Sequence, residues 1–189
     1  MKTILVMNQK GGVGKTLIAN ELAFALERDN IPFNFYDMDG QGSSLHKTAK
    51  MDGAEVQIVD TAGVLNVKMN EWIENADFIV IPTMMSYENM HPLERMIELC
   101  GKFKATKPIL YVFNRANRFS ITRDFISWFD TTYPDLKTAT LSETIAFAQS
   151  GLLGKSVVEF QPNNKGSKDI EKIYSIIKYE LNLKERRTA

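Results

Sequence analysis

Apolar residues along this 189-residue chain fall into short runs separated by amphipathic stretches. Residues 4–6, 33–36, 56–60, 77–82, 107–115 and 136–140 are rich in β-branched and aromatic side chains, as in Ile4-Leu5-Val6 and Phe78-Ile79-Val80-Ile81. Short uninterrupted runs such as Ile4-Leu5-Val6, and the one at 107–115, are expected of strands buried on both faces. Between them, residues 17–26, 67–75, 93–103, 119–129 and 169–183 carry apolar positions at helical spacing, the last placing Ile170, Ile173, Tyr174, Ile177 and Leu181 on one face. The 93–103 helix is expected to follow His91-Pro92, because proline suits a first turn. Residues 43–50 have room for one short helix, and 154–162 read as a loop. Strands alternating with helices predict an α/β fold: one domain over 1–189, with a predominantly parallel twisted sheet flanked by helices on both faces.

Polar chemistry collects where the predicted strands end. Met7-Asn8-Gln9-Lys10-Gly11-Gly12-Val13-Gly14-Lys15-Thr16 joins the first strand to the first helix. Glycines let a backbone close on an anion, and a helix N-terminus supplies N–H groups and positive partial charge. The stretch therefore predicts a phosphate loop over Gly11, Gly12, Val13, Gly14, Lys15 and Thr16, with Lys15 on the β- and γ-phosphates and the Thr16 hydroxyl on Mg²⁺. Asp37 and Asp39 follow the second strand, Asp60 ends the third and Asn114 lies near the end of the fifth. In an open parallel sheet these ends form the ligand edge. An Asx-rich turn is the other reading of Asp37 and Asp39, and an ordinary turn that of Asn114.

Composition narrows the setting. Apolar residues make up 44% and charged residues 24%, and Lys plus Arg equals Asp plus Glu at 23 each. The chain as a whole is thus not drawn to nucleic acid or membrane, and any such affinity must be local. Two segments are basic: 101–128, with Lys102, Lys104, Lys107, Arg115, Arg118 and Arg123 against Asp124, and 164–189, which includes Arg186 and Arg187. Cys100 is the only cysteine. It admits no intrachain disulfide and reads as a core filler in a reducing cytosol. No apolar run reaches the ~20 residues of a membrane span, and no signal peptide precedes the first strand, so a cytoplasmic protein is expected. His46 and His91 lack a second ligand at metal spacing, and His91 is expected in a solvated loop.

The loop, with Gln9 where the general phosphate-loop pattern has glycine and with Lys10 as a second lysine, resembles the deviant Walker A loop of the ParA/MinD ATPases, the small partition proteins above all. Asp37-Met38-Asp39-Gly40-Gln41 is similar to the family's D-x-D-x-Q segment, Asp60-Thr61-Ala62-Gly63 to its Walker B strand end, and Ile81-Pro82-Thr83 to a further strand ending. The resemblance implies ATP and Mg²⁺ as cofactors. It implies that Lys10 reaches the partner's phosphates in a nucleotide-sandwich homodimer, that Asp39 orients the attacking water, and that Asp37 and Asp60 support the metal. Asn114 would read adenine and Pro162 would flank it. Leu17 stands where the family usually has a hydroxyl, putting one α-phosphate contact in doubt. With Lys102, Lys104, Arg115, Arg118, Arg186 and Arg187 as candidate contacts, the resemblance implies non-specific DNA binding when ATP-bound, nucleoid association, and a ParB-like centromere-binding adaptor. No N-terminal DNA-binding extension and no stable membrane association are expected. Alternatives are an ATP switch with little hydrolysis, a MinD-like membrane switch on the last helix, and a ParA-like protein of a conjugative element. The span from Gln41 to Val56 is short for the family, marking a pared-down member.

Overall fold

In the computed structural model, which describes residues 1–38, 44–63, 69–103 and 107–185, the apolar runs form β1 (Lys2–Val6), β2 (Phe33–Asp37), β3 (Val56–Asp60), β4 (Phe78–Met84), β5 (Ile109–Ala116) and β6 (Lys137–Ser142). They make one sheet of order β2-β3-β1-β4-β5-β6 in which every neighbouring pair is parallel. The helices are α1 (Lys15–Arg28), α2 (Met69–Asn75), α3 (Tyr87–Gly101), α4 (Ser120–Thr132), α5 (Ala146–Leu152), α6 (Val157–Phe160) and α7 (Lys165–Leu181).

The two-residue period of the strands sorts the core into two layers. Ile4, Val6, Phe78, Val80, Leu110 and Val112 face one side, packing with Ile18 and Leu22 of α1 and with Ile170, Ile173 and Ile177 of α7. Leu5, Ile79, Ile81, Tyr111 and Phe113 face the other, against Ile73 of α2, Leu93 and Met96 of α3, and Phe125 and Phe129 of α4. All eleven of these strand side chains are essentially buried, which is why the runs of β1, β4 and β5 show no polar alternation. From β1 the chain winds outward to β2 and back to β3. It then passes β1 to β4 and winds the other way, so the order reverses beside the C-terminal end of β1, where ligands bind in open α/β sheets.

Several element boundaries differ from the sequence pattern. The third helix begins at Tyr87, after extended Ser86, and runs through Pro92, its sixth residue, which has no N–H to give to the Glu88 carbonyl. His91 is therefore exposed on a helix, paired with Glu94 at 2.9 Å, not in a loop. Residues 44–50 form no helix: Ala49 makes an antiparallel bridge to Phe35 along the edge of β2. The 154–162 stretch contains the four-residue α6, whose Ser156 cap accepts from Val158 N, and α5 precedes it. The last helix starts at Lys165, capped by Asn164. Gly166 in its first turn hides the pattern, yet a Cβ there would sit 2.8 Å from Phe147 and Thr144. Cys100 is fully buried, and burial pushes its thiol up to about 12, in keeping with a filler. Among the described residues, no helix is long and apolar enough to cross a membrane.

Candidate functional site

Beyond Val6 the chain turns sharply into α1. Asn8, 1% exposed, donates from Nδ2 to the Pro82 carbonyl at 2.7 Å and accepts the Lys10 N–H at 2.9 Å, pinning the lead-in to β4. Gly12 and Gly14 hold positive φ, +74° and +98°. Gly14 is the N-cap of α1, which has no side-chain cap and no acidic residue in its first turn. The orphan N–H groups and positive partial charge of that helix end are thereby left for an anion. Gly63, in the turn after β3, lies against this loop: a Cβ there would be 3.3 Å from Gly11 Cα and N.

Lys15 is 6% exposed and its Nζ donates to the Lys10 carbonyl at 3.2 Å, while the Lys10 side chain is exposed. Asp60, fully buried, and half-buried Asp37 are direct partners on adjacent strands. Thr61 donates from N and Oγ1 to the Val6 carbonyl at 3.1 and 3.2 Å, holding the turn after Asp60 to β1. Asp39 lies outside the described residues.

A cleft of about 750 Å³ opens over the loop, lined by Gly11, Gly12, Gly14, Lys15, Thr16 and Leu17 at one end, by Gly63, Asn114 and Arg115, and by Ser142–Ala148 except Ala146 at the other. It has the size of a small-molecule site. Asn114 is buried, and both ends of its amide are engaged: Nδ2 donates to the Val13 carbonyl at 2.9 Å, and Oδ1 accepts the Arg115 N–H at 2.8 Å. It thus clamps the phosphate loop, and a Cβ on Gly14 would fall 2.2 Å from its Nδ2. Arg115 holds a left-handed φ of +56° beside a register shift in β5. Leu17 is half-buried, packed on the core while lining the cleft.

Ser142, Glu143, Thr144, Ile145, Phe147 and Ala148 were not anticipated. Their signal was positional: every other strand end feeds this edge, and the sixth run was ended two residues early at Thr140. Asp169 fixes Ser142, accepting its N–H at 2.9 Å and its hydroxyl at 2.5 Å. Pro162 is exposed and lies outside the cleft lining.

Among the described basic candidates, Lys102 lies apart from Arg115 and Arg118. Lys102 caps the C-terminal end of α3, at the edge where strands begin, whereas Arg115 and Arg118 lie at or beyond the end of β5. The eight residues of β5 separate them by roughly 25 Å at ~3.3 Å per residue. Lys104, Arg186 and Arg187 lie outside the described residues.

The residues present fit a magnesium nucleotide. An uncapped helix end, a glycine cradle and a buried lysine suit phosphates, and a hydroxyl with two carboxylates makes the all-oxygen donor set that Mg²⁺ takes. In sequence, the model of the CobQ/CobB/MinD/ParA nucleotide binding domain matches residues 4–157. No curated protein matches the chain significantly. Among solved structures, an aspartate-to-alanine variant of McdA from Cyanothece in complex with ATP superposes with a TM-score of 0.78 at 16% identity, covering 100% of this chain and 99% of the other. A protein described as a plasmid partition protein, from Borrelia burgdorferi B31 and bound to AMPPNP, gives 0.72 at 16% identity over 95% and 99%. MinD from Pyrococcus horikoshii OT3 with Mg-ADP gives 0.69 at 14% over 93% and 95%. At such identities the structures speak for the fold, while the sequence model spans most of the chain, from within β1 past the end of β6: the chain belongs to the CobQ/CobB/MinD/ParA nucleotide-binding domain family.

Proposed function

We propose that this chain is an ATP-dependent dimerising ATPase of the ParA type, acting in plasmid or chromosome partition through non-specific DNA binding in its ATP state. The observation that carries the reading is the uncapped N-terminus of α1 with Lys15 buried beside it, at the mouth of the cleft. Backbone N–H groups from Gly11 to Thr16 hold the phosphates, and Lys15 exchanges the Lys10 carbonyl for the β- and γ-phosphates. Thr16, Asp37 and Asp60 hold Mg²⁺, whose chemistry when bound is to neutralise phosphate charge. Asp39 orients the attacking water. Asn114 and the Ser142–Thr144 turn flank the base. Lys10, exposed at the mouth, meets a partner's γ-phosphate, so dimer formation senses ATP over ADP. A cation of that kind contributes on the order of 10³-fold or more to rate.

The partition role draws support from family membership and from a partition protein among the similar folds; a ParB-like adaptor and nucleoid association follow from the same reading. A membrane switch on the last helix is disfavoured, because Ile170, Ile173, Tyr174, Ile177 and Leu181 are buried in the core and leave no apolar face for a bilayer. A switch with little hydrolysis is the second reading. Leu17 supports it, supplying an apolar side chain at the cleft where a hydroxyl would serve phosphate.

The test is sedimentation velocity with DNA gel shift at fixed salt, using ATP, ADP or no nucleotide. ATP alone is expected to give dimer and DNA complex, and Lys10→Ala to bind ATP yet lose dimer, DNA and turnover together. Equal DNA affinity in all three states, or a Lys10→Ala protein that dimerises and hydrolyses normally, would contradict the switch. The hydrolysis-poor reading predicts the same dimer and DNA behaviour without phosphate release.

A further inference from the structure

Away from the cleft, one buried amide joins elements that the fold does not require it to join. Asn20, one turn beyond Thr16 on α1 and 5% exposed, donates from Nδ2 to the Thr16 carbonyl at 2.7 Å. This orients the amide, leaving Oδ1 as acceptor for Ser44 Oγ at 3.1 Å, His46 N at 2.9 Å and His46 Nδ1 at 2.8 Å. Facing a carbonyl oxygen, Nδ1 carries the imidazole proton. The ring is lodged among Phe24, Phe35 and Phe33, with centroids 4.4, 5.5 and 6.2 Å away.

From His46 the segment continues along the edge of β2. Thr48 Oγ1 accepts the Asp37 N–H at 3.1 Å, Ala49 exchanges two backbone bonds with Phe35, and Met51 N donates to Asn34 Oδ1 at 2.7 Å. Residues 44–51 are therefore a strap, tied at one end to the helix turn that carries Thr16 and along its length to the strand that ends in Asp37. Those are two of the three residues assigned to the metal.

We propose that Asn20 is a positioning residue that couples occupancy of the phosphate loop to the strap and, through Thr48, to Asp37. The inference rests on the nucleotide reading above. A ligand on the α1 N-terminus draws on the first turn, and the Thr16 carbonyl moves with it. Asn20 passes that displacement on, because losing its bond to the Thr16 carbonyl would strand a buried amide donor. One amide thereby sets the Thr16 hydroxyl and the Asp37 backbone in register.

Residue-resolved amide hydrogen exchange on the full chain, with and without Mg-ATP, tests it. In the wild type, ATP is expected to slow exchange over residues 10–18 and, about tenfold, at the His46 and Asp37 amides. Asn20→Asp keeps an oxygen for Ser44 and His46 but replaces the donor to Thr16 with an acceptor. It is expected to retain protection at 10–18 and the nucleotide-free protection of 44–49, and to lose the ATP-induced slowing there. Thr48→Val, at an exposed position, guards against misfolding of that variant: His46 should still respond to ATP while Asp37 does not. ATP-induced slowing unchanged in both variants, or wild-type protection at 10–18 with 44–49 unmoved, would overturn the coupling alone. No effect of ATP at 10–18 in the wild type would overturn the nucleotide reading, and the coupling with it.

Discussion

Gly14 and Gly11 sit three residues apart in the same loop and should fail in different ways. Alanine at 14 meets both a φ of +98° and Asn114 Nδ2 at 2.2 Å, so it forces a strained backbone and displaces the clamp on Val13. Gly14→Ala is expected to cost about 2–4 kcal/mol of stability in urea titration and to abolish binding of a fluorescent ATP analogue. A Cβ on Gly11 meets nothing within 4 Å. Gly11→Ala should keep stability to within about 0.5–1 kcal/mol while weakening nucleotide binding, because its methyl group intrudes where phosphate approaches. His46 offers a pH test. Burial chiefly, against the opposing Glu27 carboxylate, lowers its pKa below the usual 6.5. The unfolded chain therefore takes the proton first, so the neutral ring's contribution is fully present above about pH 6.5 and drains away as pH falls below it. Melting temperature from pH 7.5 to 5.5 should drop more steeply in the wild type than in His46→Gln. Comparing the two cancels Glu21, whose raised pKa has the opposite sign of slope. Lys15 and Thr16 were legible because their chemistry is written in local spacing. The tie from Asn114 to Val13, 101 positions apart, and the role of Asn20 were not, because they exist only once strands and helices have packed.

Among the elements, the short ones depend most on their neighbours. A helix of four residues cannot sustain itself, and α6 is held by α1: Glu21 accepts the Ser156 hydroxyl at 2.6 Å and the Val157 N–H at 2.9 Å. Burial raises the Glu21 pKa, and those two bonds oppose the rise. Glu21→Ala would leave both donors buried and unmatched, costing about 1–3 kcal/mol. Glu21→Gln, which keeps one acceptor, should lose less; thermal denaturation of the pair checks the ordering. The same dependence explains which elements could be read. Six strands and the long helices announce themselves through runs and periods. By contrast, α5 and α6 are shorter than a helical period can reveal, α3 was cut short by taking Pro92 as its start, and the strap at 44–51 is held by one backbone bridge and by side-chain bonds that follow no repeat.

For the whole molecule, burial on both faces of the central strands β1, β4 and β5 was legible in their unbroken apolar runs, and the placement of strand ends on one edge in the alternation of strands with helices. Strand order was not, since pattern alone does not say that β3 lies between β2 and β1. Nor was the placement of charge: residues 101–128 look like one basic segment, but β5 carries the chain from one edge of the sheet to the other and separates Lys102 from Arg115 and Arg118. The central claim is that the loop at the end of β1 holds nucleotide phosphates through Lys15, and isothermal titration of Mg-ATP tests it most directly. Lys15→Ala, with its fold verified by an unchanged circular dichroism spectrum, is expected to bind roughly 30- to 150-fold more weakly than the wild type, corresponding to a charge-assisted contact of about 2–3 kcal/mol. Equal affinity in the two proteins would contradict the account.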